Sequence, residues 1–327
     1  MAEYLFVDQT HVPDLVAQVT ELNIAAFAEY EGAPTFGEDF TEWYLRRPGC
    51  TPELCTAALH GDKLVSMVLV AIQPVQLGGE TLDCGIIDSV ATHPDHRRRG
   101  LARRLMDMAH EKMRSAGAGA AVLYTNPEDH PYRFYGRLGY QTRAMCEMLQ
   151  GRRPKSDASL SVRAARTAEH EMVAEMLNEF YGTYEGYAPF GDELWAWHKI
   201  VRPEGMAPLI LVAEAEQGPA ATCTCAEVPL LLQGKTVTVA AVSDFAYRSD
   251  ACDGAEALVS LLAAAPRESL VCLFDESDPL AGLYRAIGFE KAVSEVSMVL
   301  PFSNTAQDAT RSKPGPWYVM VESVIGV

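Results

Sequence analysis

The stretch Val90-Ala-Thr-His-Pro-Asp-His-Arg97-Arg98-Arg99-Gly100-Leu101-Ala102-Arg103 joins a strand end to a helix start through a tight basic loop. Gly100 has no side chain to block close approach and Ala102 has almost none, so the amides of residues 98–103 can converge on one anion. A helix start adds unpaired N–H groups and a partial positive charge. Three consecutive arginines add forked donors matched to phosphate oxygens. The loop therefore fits a pyrophosphate. Downstream, Leu101, Leu105, Met108, Ala109 and Met113 recur at helical spacing, with Arg103, Arg104, Asp107, His110, Glu111 and Arg114 between them. That pattern predicts one amphipathic helix ending near Gly117. Upstream, the apolar run 82–90 reads as a buried strand feeding the loop. Neither Gly-x-x-x-x-Gly-Lys-Ser/Thr nor Gly-x-Gly-x-x-Gly occurs, which argues against a triphosphate loop or a dinucleotide fold.

Arg97-x-x-Gly100-x-Ala102 after this strand resembles the acetyl-CoA signature of the GNAT superfamily of N-acetyltransferases, Arg/Gln-x-x-Gly-x-Gly/Ala. At the expected distance, Phe134-Tyr135-Gly-Arg-Leu-Gly139-Tyr140 is similar to the family's later motif of a tyrosine followed by a Gly-aromatic pair. The resemblance implies acetyl-CoA as co-substrate and direct transfer in a ternary complex, with no acyl-enzyme and no metal. It also implies a twisted mixed sheet whose splayed central strands receive the pantetheine arm. On that pattern Val90, Ala91 and Thr92 pair with the arm through backbone groups. Arg97, Arg98, Arg99, Gly100, Leu101, Ala102 and Arg103 hold the pyrophosphate. Asn126 is grouped with the cofactor-binding residues, although its nine-residue gap to Tyr135 is longer than the family's common form. Tyr135 protonates the leaving thiolate, the alternative being a core tyrosine with a bonded hydroxyl. The stretches His96-Arg-Arg-Arg-Gly-Leu and Tyr135-Gly-Arg-Leu-Gly-Tyr resemble the enhanced-intracellular-survival acetyltransferases in particular. In that group the terminal carboxylate reaches the active site, but this chain is too short to hold the group's whole third region, so Val327 is not counted among the site residues.

Transfer to an amine also needs a base. Asp88 lies two residues before Val90 on the same strand face, where a carboxylate can take an amine proton directly or through water. Its other reading is a strand-end carboxylate satisfied by backbone or arginine. His93, just before Pro94, ranks below it. For the acceptor, residues 27–44 alternate acidic and aromatic side chains, and Glu29, Glu31 and Glu38 are the candidates for holding a protonated amine. Phe40, Trp43 and Tyr44 fit better as the inward face of an amphipathic helix.

A length of 327 residues suggests two domains. A net charge of −17 makes nucleic acid a poor partner and favours a cationic acceptor. No apolar run is long enough to span a bilayer, and the first residues do not read as a secretion signal, so a soluble cytoplasmic protein with no membrane partner is expected. The eight cysteines are scattered without a Cys-x-x-Cys pair, which points to reduced, buried thiols rather than zinc. Assembly into a homo-oligomer stays open.

An internal repeat organises the chain. A short strand and helix open at Leu5 and again at Leu160. Asn126 precedes Tyr135 by nine residues and Asp275 precedes Tyr284 by nine, and both tyrosines are followed by a Gly-aromatic pair. The expected fold is α/β (α+β), two tandem GNAT-like domains, each a twisted mixed sheet flanked by helices. Residues 1–150 form the catalytic domain binding acetyl-CoA, and residues 151–302 a degenerate copy, the polar, turn-like segment Gly151-Arg-Arg-Pro-Lys-Ser-Asp-Ala-Ser reading as the linker that joins them. Residues 303–327 form a linker and an apolar end that adds a strand or packs between the halves. In the second half, Asp250 and Asp253 fall where the first has arginines, and like charge there opposes phosphate. The expected activity is transfer of an acetyl group to a primary amine on a small molecule. Its rivals are a protein or peptide amine, and a regulatory protein that binds acyl-CoA without turnover.

Overall fold

The computed structural model describes residues 3–28, 37–155, 159–232, 235–311 and 315–325. The chain runs through β1 (Leu5–Asp8), α1 (Leu15–Phe27), α2 (Glu38–Leu45), β2 (Thr56–His60), β3 (Lys63–Leu77), β4 (Glu80–Thr92), α3 (Leu101–Ser115), β5 (Ala120–Thr125), α4 (His130–Arg137) and β6 (Gln141–Arg152). The same order then recurs. It comprises β7 (Ser161–Ala164), α5 (His170–Tyr181), α6 (Asp192–Trp195, continued by a π turn over Ala196–Ile200), β8 (Leu209–Ala215), β9 (Gly218–Leu232), β10 (Lys235–Tyr247), α7 (Gly254–Ala263), β11 (Ser269–Asp275), α8 (Pro279–Ala286) and β12 (Glu290–Pro301). Two helices close the chain, α9 (Asn304–Arg311) and α10 (Val321–Ile325).

Each half supplies six strands, and the twelve form one continuous sheet rather than two, in the order β1-β2-β3-β4-β5-β12-β6-β11-β10-β9-β8-β7. The join is an exchange of last strands. β12 pairs with β5 of the first half, β6 pairs with β11 of the second, and β6 lies antiparallel to β12 at the centre. Neither half can leave without breaking this ladder. The exchange also moves the boundary read from the sequence: Gly151 and Arg152 are not linker but the end of β6, held opposite Leu270 and Ser269. The Gly-Arg-Arg-Pro turn signal there is overridden by cross-strand pairing.

The helix after the basic loop forms over the expected stretch, but its buried face is turned slightly from the one read: Met106 and His110 are buried and Met108 only half-buried. Leu101, Leu105, Met106, Ala109 and Met113 are buried on one face of α3 against Ile87, Ala121 and Leu123 of β4 and β5. It stops where Gly117 turns left-handed (φ 89°) and the Ala118 N–H closes back on Met113 O. Among the described residues, no helix is long and apolar enough to cross a membrane. All eight cysteines are free, and six of them are buried.

The C-terminal segment takes the second of its two expected courses, packing between the halves, although it does not begin as a linker. Residues 304–311 form a helix rather than a polar linker. The apolar run adds no strand, making a single parallel bridge between Trp317 and Glu185 before turning into α10. The middle of the sheet offers no free edge, so the segment lies across it. Trp317, Val319, Met320 and Val321 are buried in a core with Val75, Ile86 and Val122 of the first half and Val228, Val239 and Val271 of the second. Gly186 makes room for this, since a Cβ there would sit 2.3 Å from the Trp317 ring, and its φ of 74° already favours glycine.

A second joint between the halves explains a repeat that was not read from the sequence. Glu31-Gly-Ala-Pro-Thr-Phe-Gly-Glu-Asp-Phe-Thr-Glu-Trp43 aligns without a gap on Glu185-Gly-Tyr-Ala-Pro-Phe-Gly-Asp-Glu-Leu-Trp-Ala-Trp197. Trp43 and Trp197, equivalent in that alignment, stack in parallel with centroids 4.3 Å apart. Each indole N–H donates to the other's backbone carbonyl, at 3.1 and 3.0 Å. A reciprocal contact of this kind is what a two-fold axis produces. Arg202 covers the outer side of the pair on Trp43 and Arg47 lies 5.5 Å from the Trp197 ring.

Candidate active site

β4 and β5 are parallel partners only from Cys84–Ala120 to Ile87–Leu123. Beyond Ile87 the two strands part, and residues 88–92 have no register partner on β5. On its other side β4 bulges: Ser89 and Val90 together oppose Val68 of β3, and Ser89 takes a left-handed φ of 43°. A non-glycine residue held there stores about 1–3 kcal/mol of strain. The bulge thus turns β4 at the point where the splay opens.

The basic loop lies at the end of this strand. Arg98 (φ 62°) and Gly100 (φ 78°) are both left-handed, which rotates successive N–H groups towards one side as in an anion nest. The first helical bond of α3 runs from Arg104 N to Gly100 O, so the amides before Arg104 face out of the helix end. Around Gly100 a Cβ would meet nothing within 4 Å. Arg97 is a brace: it donates to Thr92 O and Ala26 O and holds the loop to β4 and α1. Arg98 and Arg99 are exposed, Arg99 bonding Tyr4 Oη and Asp95 O. Arg103 pairs with Asp107 on the helix surface. Leu101 is buried in the α3 core and Ala102 half-buried, leaving their backbone groups as what they can offer. Val90 and Thr92 are half-buried and Ala91 buried along the open reach of β4.

Asp88 stands one residue before the bulge, on β4, and is buried. Its Oδ2 accepts from Tyr44 Oη at 2.8 Å and from Arg47 Nη1 at 2.9 Å, while Oδ1 is buried without a hydrogen bond. Burial pushes its carboxyl above the usual range and Glu322 adds to the rise, against the pull of Arg47 and Tyr44. Arg47 in turn donates to Gln73 Oε1 at 2.9 Å, Glu322 Oε1 at 3.1 Å and Ser323 Oγ at 3.1 Å. Glu322 meets His198 Nε2 at 3.3 Å. Burial and the neighbouring Lys199 push His198 down, so it stands neutral and donates from Nε2. Burial opposes ionisation of Glu322, yet His198 and Arg47 outweigh it and hold that carboxyl at about 2. Burial, with Asp88 beside it, pushes the Tyr44 phenol up, which keeps it a donor.

The sequence reading found Asp88 but not its partners. Arg47 at a helix end, Glu322 and Ser323 in the tail, and His198 in the other half carry no local motif. Only the repeat around the tryptophans points to His198, as the counterpart of Tyr44. His93 is not drawn into this cluster: its Nδ1 accepts from Asp95 N and caps a short turn. Tyr135 lies on α4, buried in the core of Ile87, Leu101 and Leu123, its ring 5.3 Å from Phe134 and 5.9 Å from Tyr140. Asn126 spends its Oδ1 on Glu128 N at 2.9 Å, capping the turn into α4. Asp275 does the same for Ser277 N in the second half, so this pair of repeat positions shares a turn-forming role. Glu38 is exposed in the first turn of α2. Glu29 and Glu31 lie outside the described residues. Asp39 and Glu42, on the same helix as Glu38, line a groove of about 560 Å³ with Glu193, Glu204, Trp43 and Trp197.

In the second half the equivalent features are filled by the chain itself. Asp253 caps α7, accepting from Ala255 N and Glu256 N at 2.9 and 3.0 Å, so two of the amides at that helix start are taken by the chain itself. Asp244 (φ 55°) marks the bulge in β10 and is buried, bonded to Lys199 Nζ at 2.5 Å and to Tyr318 Oη at 2.6 Å. Trp317, Tyr318 and Val319 lie between β10 and β11, where Trp317 N donates to Asp275 Oδ2.

Residues 12–143 match the family described as the acetyltransferase (GNAT) domain. This segment is a GNAT acetyltransferase domain. The GNAT domain contains the splay, the bulge and the basic loop, and it makes the protein a GNAT-type acyltransferase, an activity that is acyl-CoA-dependent. No curated protein matches the chain by sequence. By structure the whole chain is similar to Saccharomyces cerevisiae N-myristoyltransferase with bound myristoyl-CoA, at a TM-score of 0.72 and 12% identity over 92% of this chain and 79% of that one. It is also similar to a GCN5-related N-acetyltransferase from Anabaena variabilis, at a TM-score of 0.66 and 13% identity over 91% and 72% of the two chains. At such identities these two likenesses speak for the fold.

Proposed function

We propose that the protein moves an acetyl group from acetyl-CoA to a primary amine on a small molecule, by direct transfer in a ternary complex. One observation carries this reading: an open splay beyond Ile87, ending in a nest of outward amides at Arg98–Gly100, with a buried carboxylate at the bulge between them. Backbone groups of Val90, Ala91 and Thr92 hold the pantetheine arm, and the loop 97–103 holds the pyrophosphate. The amine attacks the thioester carbonyl carbon, the C–S bond breaks, Asp88 Oδ1 takes the proton leaving nitrogen, and Tyr135 supplies one to sulfur. The two transfers cancel, giving an amide and free thiol. The groove of about 560 Å³ beside α2 is the size of a small-ligand site, lined by four carboxylates and by Arg46 and Arg202, with Arg46 already paired to Glu42. The two halves are read as tandem copies of one fold, the second keeping the C-terminal segment where the first keeps its cofactor.

Two variants test the assignment. Reversing charge at Arg98 and Arg99, both to glutamate, is expected to weaken acetyl-CoA binding roughly a hundredfold or more, read by calorimetry, with melting temperature held. Tyr135→Phe is expected to lower kcat about a hundredfold and leave the KM for acetyl-CoA in place, read by thiol release against a panel of amines. A kcat unchanged by this substitution would remove Tyr135 from the mechanism. Running acetyl-CoA and myristoyl-CoA side by side fixes the acyl length, and amine-bearing peptides in the panel test the peptide alternative.

A further inference from the structure

The tail of the chain has been drawn from one half to the other. Trp317 to Val319 lie between β10 and β11 of the second half, tied by Tyr318 Oη to Asp244 and by Trp317 N to Asp275. The next residues cross to the first half, where Met320 N and Trp317 Nε1 donate to Tyr124 Oη, at 3.2 and 2.9 Å, on β5. That anchorage ends with Glu322 and Ser323 against Arg47, both within 3.1 Å of its guanidinium. Nothing in the packing of α10 alone requires a carboxylate at this depth, and burying one is costly unless it has a purpose for its partners.

We infer that Glu322 is a positioning residue for Asp88: it holds the Arg47 guanidinium between two carboxylates, so that Tyr44 and Arg47 engage one oxygen of Asp88 and leave the other for the acceptor amine. The inference rests on Asp88 as the base. The geometry is divided accordingly. Arg47 Nη2 is committed to Glu322 and Gln73, and Nη1 alone reaches Asp88, on Oδ2. Without the charge of Glu322, the guanidinium is released to chelate Asp88 with both of its ends, in the bidentate geometry that arginine and carboxylate prefer. Oδ1 would then be spent.

The charged and titratable groups around this centre come from five elements, β10 contributing Asp244. Tyr44 and Arg47 belong to α2 and the turn after it, Cys50 and Cys55 to the loop before β2, Glu322 to α10, and His198 to the π turn, with Lys199 and Asp244 behind it and Arg202 beside it. Of these, Glu322 is the carboxylate that raises Asp88, so neutralising it lowers the Asp88 titration.

The test is the pH profile of kcat for the full-length chain with acetyl-CoA and its best amine, for wild type, Glu322→Gln, Glu322→Asp and Asp88→Asn. Glu322→Gln keeps size and is expected to lower plateau kcat roughly tenfold and to move the acid limb about one pH unit down, with the KM for acetyl-CoA unchanged. Glu322→Asp keeps the charge, and is expected to keep the limb at its wild-type pH while recovering part of kcat. It also stands in if the glutamine variant does not fold, since a limb displaced by Glu322→Asp would overturn the inference. An unmoved limb with full kcat in Glu322→Gln overturns it while Asp88→Asn stays inactive. If Asp88→Asn keeps wild-type kcat, the base assignment itself falls.

Discussion

Replacing Asp88 by asparagine is expected to lower kcat about 100- to 10,000-fold while acetyl-CoA binds as before. The substitution keeps the shape of the side chain and its place on β4, and an amide oxygen can still accept from Tyr44 and Arg47. What it removes is the ability of the second oxygen to take a proton. That oxygen is the one buried atom of the pair without a hydrogen bond, in a carboxyl that burial has already raised towards working pH. The basic loop lies beyond the bulge, at residues 97–103, where Arg97 reaches Thr92 and Ala26 and Arg99 reaches Tyr4 and Asp95. Arg47 keeps Glu322 as counter-charge, so the fold should persist, with a melting curve as the check. Kinetics that lose kcat and keep KM fit a group acting only in the transition state. A variant with wild-type kcat at saturating amine would contradict the role.

Trp317→Ala is expected to destabilise the protein by about 3–5 kcal/mol, measured by denaturant or thermal unfolding. Trp317 is fully buried, in the core shared by both halves. Its backbone N–H reaches Asp275 in the second half, and its indole N–H reaches Tyr124 in the first. The ring fills the space that Gly186 leaves, and alanine cannot refill it because Gly186 supplies no side chain to collapse inward. Loss of the anchor also frees Glu322 and Ser323 from Arg47, so activity should fall with stability. A loss under about 1 kcal/mol would mean that the tail is a loosely held strap and not part of the core.

The parts of this fold that were legible in the sequence are local. Strand, basic glycine loop and amphipathic helix follow one another over residues 80–115, and periodicity with a single left-handed glycine is enough to define them. The recurrence of elements was also legible, through Tyr135 and Tyr284 with their flanking turns. The exchange of β6 and β12 was not, because a strand carries the same alternation whichever neighbour it pairs with, and partner choice is a non-local matter. Gly151 and Arg152 show the consequence: residues with a turn-like reading were kept extended by β11. The candidate site divides in the same way. Asp88 could be found from its offset to the basic loop. Arg47, His198 and Glu322, drawn from positions up to 275 residues apart, meet only because the tail crosses the sheet. Of the acidic residues on α2, Asp39 and Glu42 line the groove and Glu38 is not among its lining residues.

We propose a single acyl-CoA site, in the first half of a chain built from two similar halves. Calorimetric titration of acetyl-CoA into the full-length protein tests it most directly. The expected result is one site per chain, because Asp253 has capped the second helix end and Trp317 to Val319 lie between β10 and β11. Two sites per chain would contradict the closed second half, and no binding at all would contradict the transferase reading.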